Sequence, residues 1–293
     1  MNLSKQQARK QKDSAMAGSK TNVIVTRVAT YSILIIMTFL IFVPIFWMIS
    51  TSLKTEAVMF DTPIELIPSD PTLDSYKNLW SAYPFLAYLR NSIFVVSAAT
   101  FFSVSISTFA GYGISRFKFR GRGFYMSFLL ATQLFPSIML LIPYYKIFKS
   151  LNLIDSLYGL IVAYVSFTIP FCTWMMRGYF NGISRDLDQA ASIDGANRFR
   201  VFRSVILPLA WPGIAATAIY AFIAGWNEYL FALVFINTTE KKTVSLGIGQ
   251  LIGEYRVLWN ELMAAAFFAL VPMVIIFIFF ILIFFVITVV IPA

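Results

Sequence analysis

Six apolar runs separated by short polar connections divide this chain, at about residues 28–53, 86–115, 124–145, 157–176, 205–236 and 262–291. Each is long enough to cross a hydrocarbon core, which takes about 20 predominantly apolar residues in a helix. The pattern predicts an all-α integral membrane protein with six transmembrane helices. The first run is too long for a signal peptide and has no small-residue cleavage site behind it, so it is expected to be retained. Residues 1–27 are polar, charged and poor in aromatics, and are expected to be disordered. Residues 28–293 then form a single membrane domain.

Orientation follows from the Lys and Arg of the short connections. Lys5, Arg9, Lys10, Lys12, Lys20 and Arg27 precede the first run. Arg116, Lys118, Arg120 and Arg122 follow the second, and Arg177, Arg185, Arg198, Arg200 and Arg203 follow the fourth. Those 15 outnumber the seven on the opposite side: Lys54, Lys77, Lys146, Lys149, Lys241, Lys242 and Arg256. The bias predicts both termini in the cytoplasm.

Composition agrees with this reading and removes several others. Only 13% of residues are charged and 59% are hydrophobic, against roughly 25% charged in soluble domains. The net charge of +9 lies in short clusters between apolar runs. It is not a continuous basic face with stacking aromatics, so no nucleic-acid partner is expected. Histidine is absent and Cys172 is the lone cysteine, which excludes His catalysis, intrachain disulfides and Cys- or His-based metal sites. No GxxxxGK[ST] loop occurs, so the chain is not expected to bind ATP by that route.

The connection between the fourth and fifth runs, "DQAASIDGANRFRVFRSVILPLAWPG", packs acids, arginines and a glycine between two apolar segments. It reads as two short helices around Gly195. Asp186 or Asp188 suits a first helical turn, Ala190, Ala191 and Ile193 make a small apolar patch, and Gly195 allows a sharp turn. Phe199, Phe202, Val205 and Ile206 form a stripe with arginines between them. The pattern by itself fits an amphipathic helix against lipid headgroups and a docking surface for another protein equally well.

The segment resembles the EAA loop of ABC-importer permeases, with Gln189-Ala190-Ala191, then Gly195, then Val205-Ile206-Leu207-Pro208. The similarity extends through "RNSIFVVSAATFFSVSISTFAGYGISRFKFRGR", "FPSIMLLIPYYKIFKSLNLIDSLYGLIVAY" and "GWNEYLFALVFINTTEKKTVSLGI" to the maltose-type carbohydrate branch, over residues 30–275. The resemblance implies a non-enzymatic permease subunit of the bacterial cytoplasmic membrane. It implies a second permease subunit, two copies of a cytoplasmic ABC ATPase that hold MgATP, and an extracytoplasmic sugar-binding protein as partners. This chain itself would hold no cofactor. The coupling loop, about 184–208, would then meet the ATPase through Asp188, Gln189, Ala190, Ala191, Asp194, Gly195 and Arg198. Gln189 stands where the family usually has Glu, so a charge-assisted bond from that position is not implied. The apolar end "FFILIFFVITVVIPA" likewise departs from the family's polar tail.

Polar residues inside apolar runs mark either a solute path or interhelical bonding. Gln133, Asn227 and Glu228 are such residues, and both readings stand for the first two. Glu228 lies about nine residues, roughly 13 Å, inside the outer end of the fifth run. It favours a structural or gating role, because a neutral sugar requires no carboxylate. Tyr144, Tyr145, Trp174, Trp226 and Tyr229 can stack on sugars, but also serve as interface anchors. An ion-coupled secondary carrier is the alternative function, and a membrane enzyme using Asp194 or Glu228 a weaker third. A single acid with no partner group supports neither well.

Overall fold

A computed structural model describes residues 2–59, 62–253 and 257–285, with backbone alone for 2–25, 280–281 and 283–285. The chain is helical, and no strand forms among the described residues. In order come α1 (Asn2–Ser52), α2 (Asp74–Ala82), α3 (Phe85–Arg116), α4 (Arg122–Thr132), α5 (Ser137–Ser150) and α6 (Leu157–Gly182). Then follow α7 (Asp186–Ile193), α8 (Arg198–Val201), a π-helical turn (Phe202–Ile206), α9 (Leu207–Leu209) and α10 (Trp211–Trp226). The last are α11 (Leu230–Phe235), α12 (Val244–Gly249) and α13 (Trp259–Phe285). Helices dominate because apolar surroundings offer no water to unpaired backbone groups, so each segment satisfies its own.

Among the described residues, four helices are long and apolar enough to cross a membrane unbroken: α1 from Thr26, α3, α6 and α13. Two expected spans depart from continuity. The run at 124–145 is split into α4 and α5, bent by 98°. Pro136 heads α5 in an extended conformation, since proline lacks the N–H that would continue α4. The run at 205–236 bends by 72° ahead of Trp211-Pro212 and breaks again between Trp226 and Leu230. Pro143 and Pro170 lie inside α5 and α6. The backbone of α1 is helical from Asn2, through the stretch for which composition predicts disorder; its Ala, Lys, Gln and Arg are good helix formers. Residues 286–293, the end of the apolar C-terminus, lie outside the described residues.

The core is built on α3 and α6, which run parallel. Ser103 bonds Thr168 at 2.7 Å, Thr173 donates to Ser107 at 3.2 Å, and Ser115 donates to Asn181 at 2.8 Å. Hydroxyls suit this contact because small polar residues let apolar helices approach and still bond across. At Gly111 the two helices come close: a Cβ there would lie 2.8 Å from the Met176 Cβ. Antiparallel to α6, α10 sets Thr217 by Met176, Ala221 by Cys172, and Trp226 in one cluster with Tyr164 and Val96. The stretch of α1 from Thr26 leaves its apolar side chains exposed.

Candidate functional site

The elbow after α6 is fastened to the end of α3. Arg116, in the last turn of α3, has a side chain only 7% exposed. It donates to the carbonyls of Phe180 and Ile183 at 3.0 and 3.2 Å and pairs with Asp188 at 3.1 Å. Arg185 returns the link, donating to the Ser115 carbonyl at 2.7 Å. A cationic side chain at a helix C-terminus also meets the negative end of the helix dipole. Together these bonds set α7 against the ends of α3 and α6.

Local sequence explains the rest of the turn. Gly195 has φ +83°, a conformation open to glycine at no steric cost. The Ala196 N–H reaches back to the Ala191 carbonyl at 3.0 Å. Asn197 then caps α8, its side-chain oxygen accepting the Arg200 N–H at 2.8 Å, as a short polar residue does at a helix start. Phe202 and Ile206 are buried with Met176 and Phe180.

The expected apolar patch divides. Ala191 turns inward to the Phe202 cluster, whereas Gln189, Ala190 and Ile193 are exposed, Ile193 by 86%. Asp194, Gly195 and Arg198 are exposed as well, and Asp188 is half-buried. The Phe stripe also divides: Phe199 is 65% exposed while Phe202 is buried. Arg198 lies over the Phe117 ring at 5.3 Å. A cavity of about 300 Å³ opens beside α7, walled by Arg116, Arg185, Asp188, Gln189, Ser192 and Arg198. Sequence reasoning missed Arg116 and Arg185 as elbow residues, having read them only as topology charges. For Arg116 the signal available was an arginine directly after an apolar run.

Gln133, Asn227 and Glu228 all sit at helix breaks. Gln133 follows α4 and donates to the Phe167 carbonyl of α6 at 3.1 Å. Asn227 folds back onto the Ile223 carbonyl at 2.9 Å. Glu228 caps α11, its two oxygens accepting the N–H groups of Phe231 and Ala232 at 2.8 and 3.2 Å. It therefore lies at the gap between α10 and α11 and not inside a continuous span. Rings tie the breaks together: Phe167 stacks on Phe231 at 5.9 Å, and Tyr144 lies 5.2 Å from Phe231. No group of three or more metal-ligating side chains occurs among the described residues.

Comparison with known proteins places this geometry in context. The family model described as "Binding-protein-dependent transport system inner membrane component" matches residues 103–292. The chain is 36% identical over 233 residues to the sulfoquinovosyl glycerol transport system permease protein of Agrobacterium fabrum, covering 80% of this chain and 82% of that protein. It is also 36% identical over 244 residues to the trehalose/maltose transport system permease protein of Thermococcus litoralis, covering 82% and 87%. In fold it is similar to a chain of a bacterial ABC transporter that imports the acidic polysaccharide alginate, with a TM-score of 0.70. That match has 23% identity and covers 86% of this chain and 94% of the other.

Proposed function

Since the chain belongs to the family of binding-protein-dependent transport system inner membrane components, we propose that it is a permease subunit of an ATP-driven importer for a carbohydrate. It sits in a bacterial cytoplasmic membrane, forms half of the translocation path with a second permease subunit, and receives its solute from an extracytoplasmic sugar-binding protein. Two copies of a cytoplasmic ABC ATPase supply the energy. The relatives' trehalose, maltose and sulfoquinovosyl glycerol support a sugar as the cargo.

Six crossings with both termini inside fit the packing. Parallel α3 and α6 require one net crossing between them, which the bent pair α4–α5 supplies. Antiparallel α10 returns the chain outward.

The observation that carries the coupling reading is the construction of α7. Gln189, Ala190 and Ile193 face outward for docking, while Asp188 and Ala191 anchor the same helix to α3 and the α6–α10 cluster. A pull on the exposed face is therefore passed to two long helices. The second candidate, an ion-coupled carrier, is less well supported, because Glu228 already has a structural use, accepting the backbone N–H groups that open α11.

Crosslinking tests the proposal. With buried Cys172 replaced, Ala190→Cys is paired with cysteines across the ATPase cleft surface. ATP-sensitive crosslinks are expected. Absence of crosslinks, with the purified chain alone moving solute down an ion gradient, would sink the proposal in favour of the carrier.

A further inference from the structure

Two uncharged polar side chains, Tyr144 of α5 and Gln133 just after α4, bond α6 at the adjacent residues 166 and 167. Tyr144 of α5 hydrogen-bonds the Ser166 hydroxyl at 3.0 Å, and Ser166 donates its own proton to the Ala163 carbonyl at 2.6 Å. Gln133, at the end of α4, donates to the Phe167 carbonyl. Ser166 and Gln133 are exposed and Tyr144 is half-buried. Ser166 lies nine residues after Leu157, about 14 Å along α6, and Gln133 follows eleven residues of α4, about 16 Å. Each length along its helix is about half of a hydrocarbon core about 30 Å thick. Exposed polar groups at that depth are costly against lipid.

Counting protons shows what the cluster has left to offer. The single Ser166 proton goes to Ala163, so Tyr144 is the donor of the Tyr144–Ser166 bond. That leaves lone pairs on Tyr144, on Ser166 and on the Gln133 amide oxygen, and one N–H on Gln133. The remaining capacity is mostly acceptor and carries no formal charge. Hydroxyl groups, which donate readily and need no counter-charge, are its natural complement. The parallel rings of Phe167 and Phe231 stiffen the backbone that presents it.

We propose that Tyr144, Ser166 and Gln133 form an uncharged hydrogen-bonding wall of the solute path that takes the hydroxyls of a neutral sugar. This rests on the importer reading above and assigns the sugar contact to this subunit.

Substituted-cysteine accessibility in the assembled importer, in membrane vesicles with Cys172→Ala, tests it. Ser166→Cys is compared with Phe101→Cys, an apolar position 66% exposed on α3, using a membrane-impermeant methanethiosulfonate. At least tenfold faster labelling of Ser166→Cys is expected, slowed severalfold by trehalose and not by the anionic sulfoquinovosyl glycerol. Tyr144→Phe, which removes only the hydroxyl, is expected to raise the KM of trehalose uptake severalfold with kcat retained. Labelling no faster than at Phe101→Cys means that lipid or a second subunit covers the wall, and overturns the proposal. Protection by the anionic sugar alone, or by neither sugar, overturns the assigned ligand class. ATPase co-purification, scored on the same vesicles, separates the two readings. A dry wall with the ATPase bound defeats only this inference, and a wet wall without an ATPase defeats only the coupling.

Discussion

Arg116 and Asp188 meet at 3.1 Å across 72 positions of sequence, joining the last turn of one long helix to the short helix of the elbow. The pair is unequal. Arg116 also holds two carbonyls of the α6 end, whereas Asp188 has this one ionic partner among the described residues. Removing one member of a largely buried pair costs about 3–5 kcal/mol when it strands the other charge. Arg116→Met is therefore expected to lose ATPase association and nearly all uptake. Asp188→Asn is expected to be milder, because the two carbonyls still hold Arg116. Co-purification and uptake, measured side by side, check the order; equal losses would show that the carbonyl bonds contribute nothing.

Gly195 turns the elbow with φ +83° and no heavy atom near its missing side chain. A substitution there meets backbone strain but no clash, about 1–2 kcal/mol for an ordinary L residue in the left-handed region. Gly195→Ala is expected to reduce coupling measurably, and Gly195→Asn less, since Asn tolerates this region better. ATP hydrolysis per sugar moved is the quantity to follow. A rise with Ala and a smaller rise with Asn is the expected outcome.

Glu228 is explained by the two backbone N–H groups it accepts at the start of α11. Glu228→Ala leaves both donors without this partner, and loss of a cap costs about 0.5–2 kcal/mol. Glu228→Gln keeps an acceptor oxygen and is expected to lose about half as much. Thermal unfolding of the purified complex checks the stability order, and uptake kinetics check the role. Loss of a cap lowers the amount of assembled importer and leaves the KM for sugar unchanged. A KM that shifts with Gln at normal assembly would return Glu228 to the solute path.

Apolar length made the helices legible, and Gly195 with the Gln189-Ala190-Ala191 run made the elbow so. The breaks were not, because an apolar run has the same composition whether it is straight or folded back. Pro136 stands at a break, whereas Pro143 and Pro170 look alike in sequence and remain inside helices. For the same reason Glu228 reads as a deep charge until the gap before Leu230 is known. Arg116 was legible as a charge but not as an anchor, since its partner stands on a helix that only the packing of α3 on α6 brings near.

Asp155, in the connection between α5 and α6, gathers the segment that follows α11. It accepts the N–H groups of Asn237 and Thr238 at 3.0 and 2.9 Å, the Thr238 hydroxyl at 2.5 Å, and Lys241 at 2.9 Å. Burial pushes its carboxyl up, but the hydroxyl, the backbone donors and Lys241 together outweigh that and hold it well below the usual carboxylate range. A carboxyl depressed in the folded state contributes stability that is complete above its unfolded value, near 3.9. That stability is lost as the pH falls through that value toward the folded one. The clasp is therefore expected to be fully present from pH 8 to 5. Asp155→Asn removes the charge and is expected to cost about 1.5–3 kcal/mol, as hydrogen bonds to charged groups do. The difference in unfolding temperature between the wild type and Asp155→Asn should be constant across that window and narrow below about pH 4. A difference that instead peaked in acid would mean that the carboxyl titrates upward, and that burial outweighs the four donors.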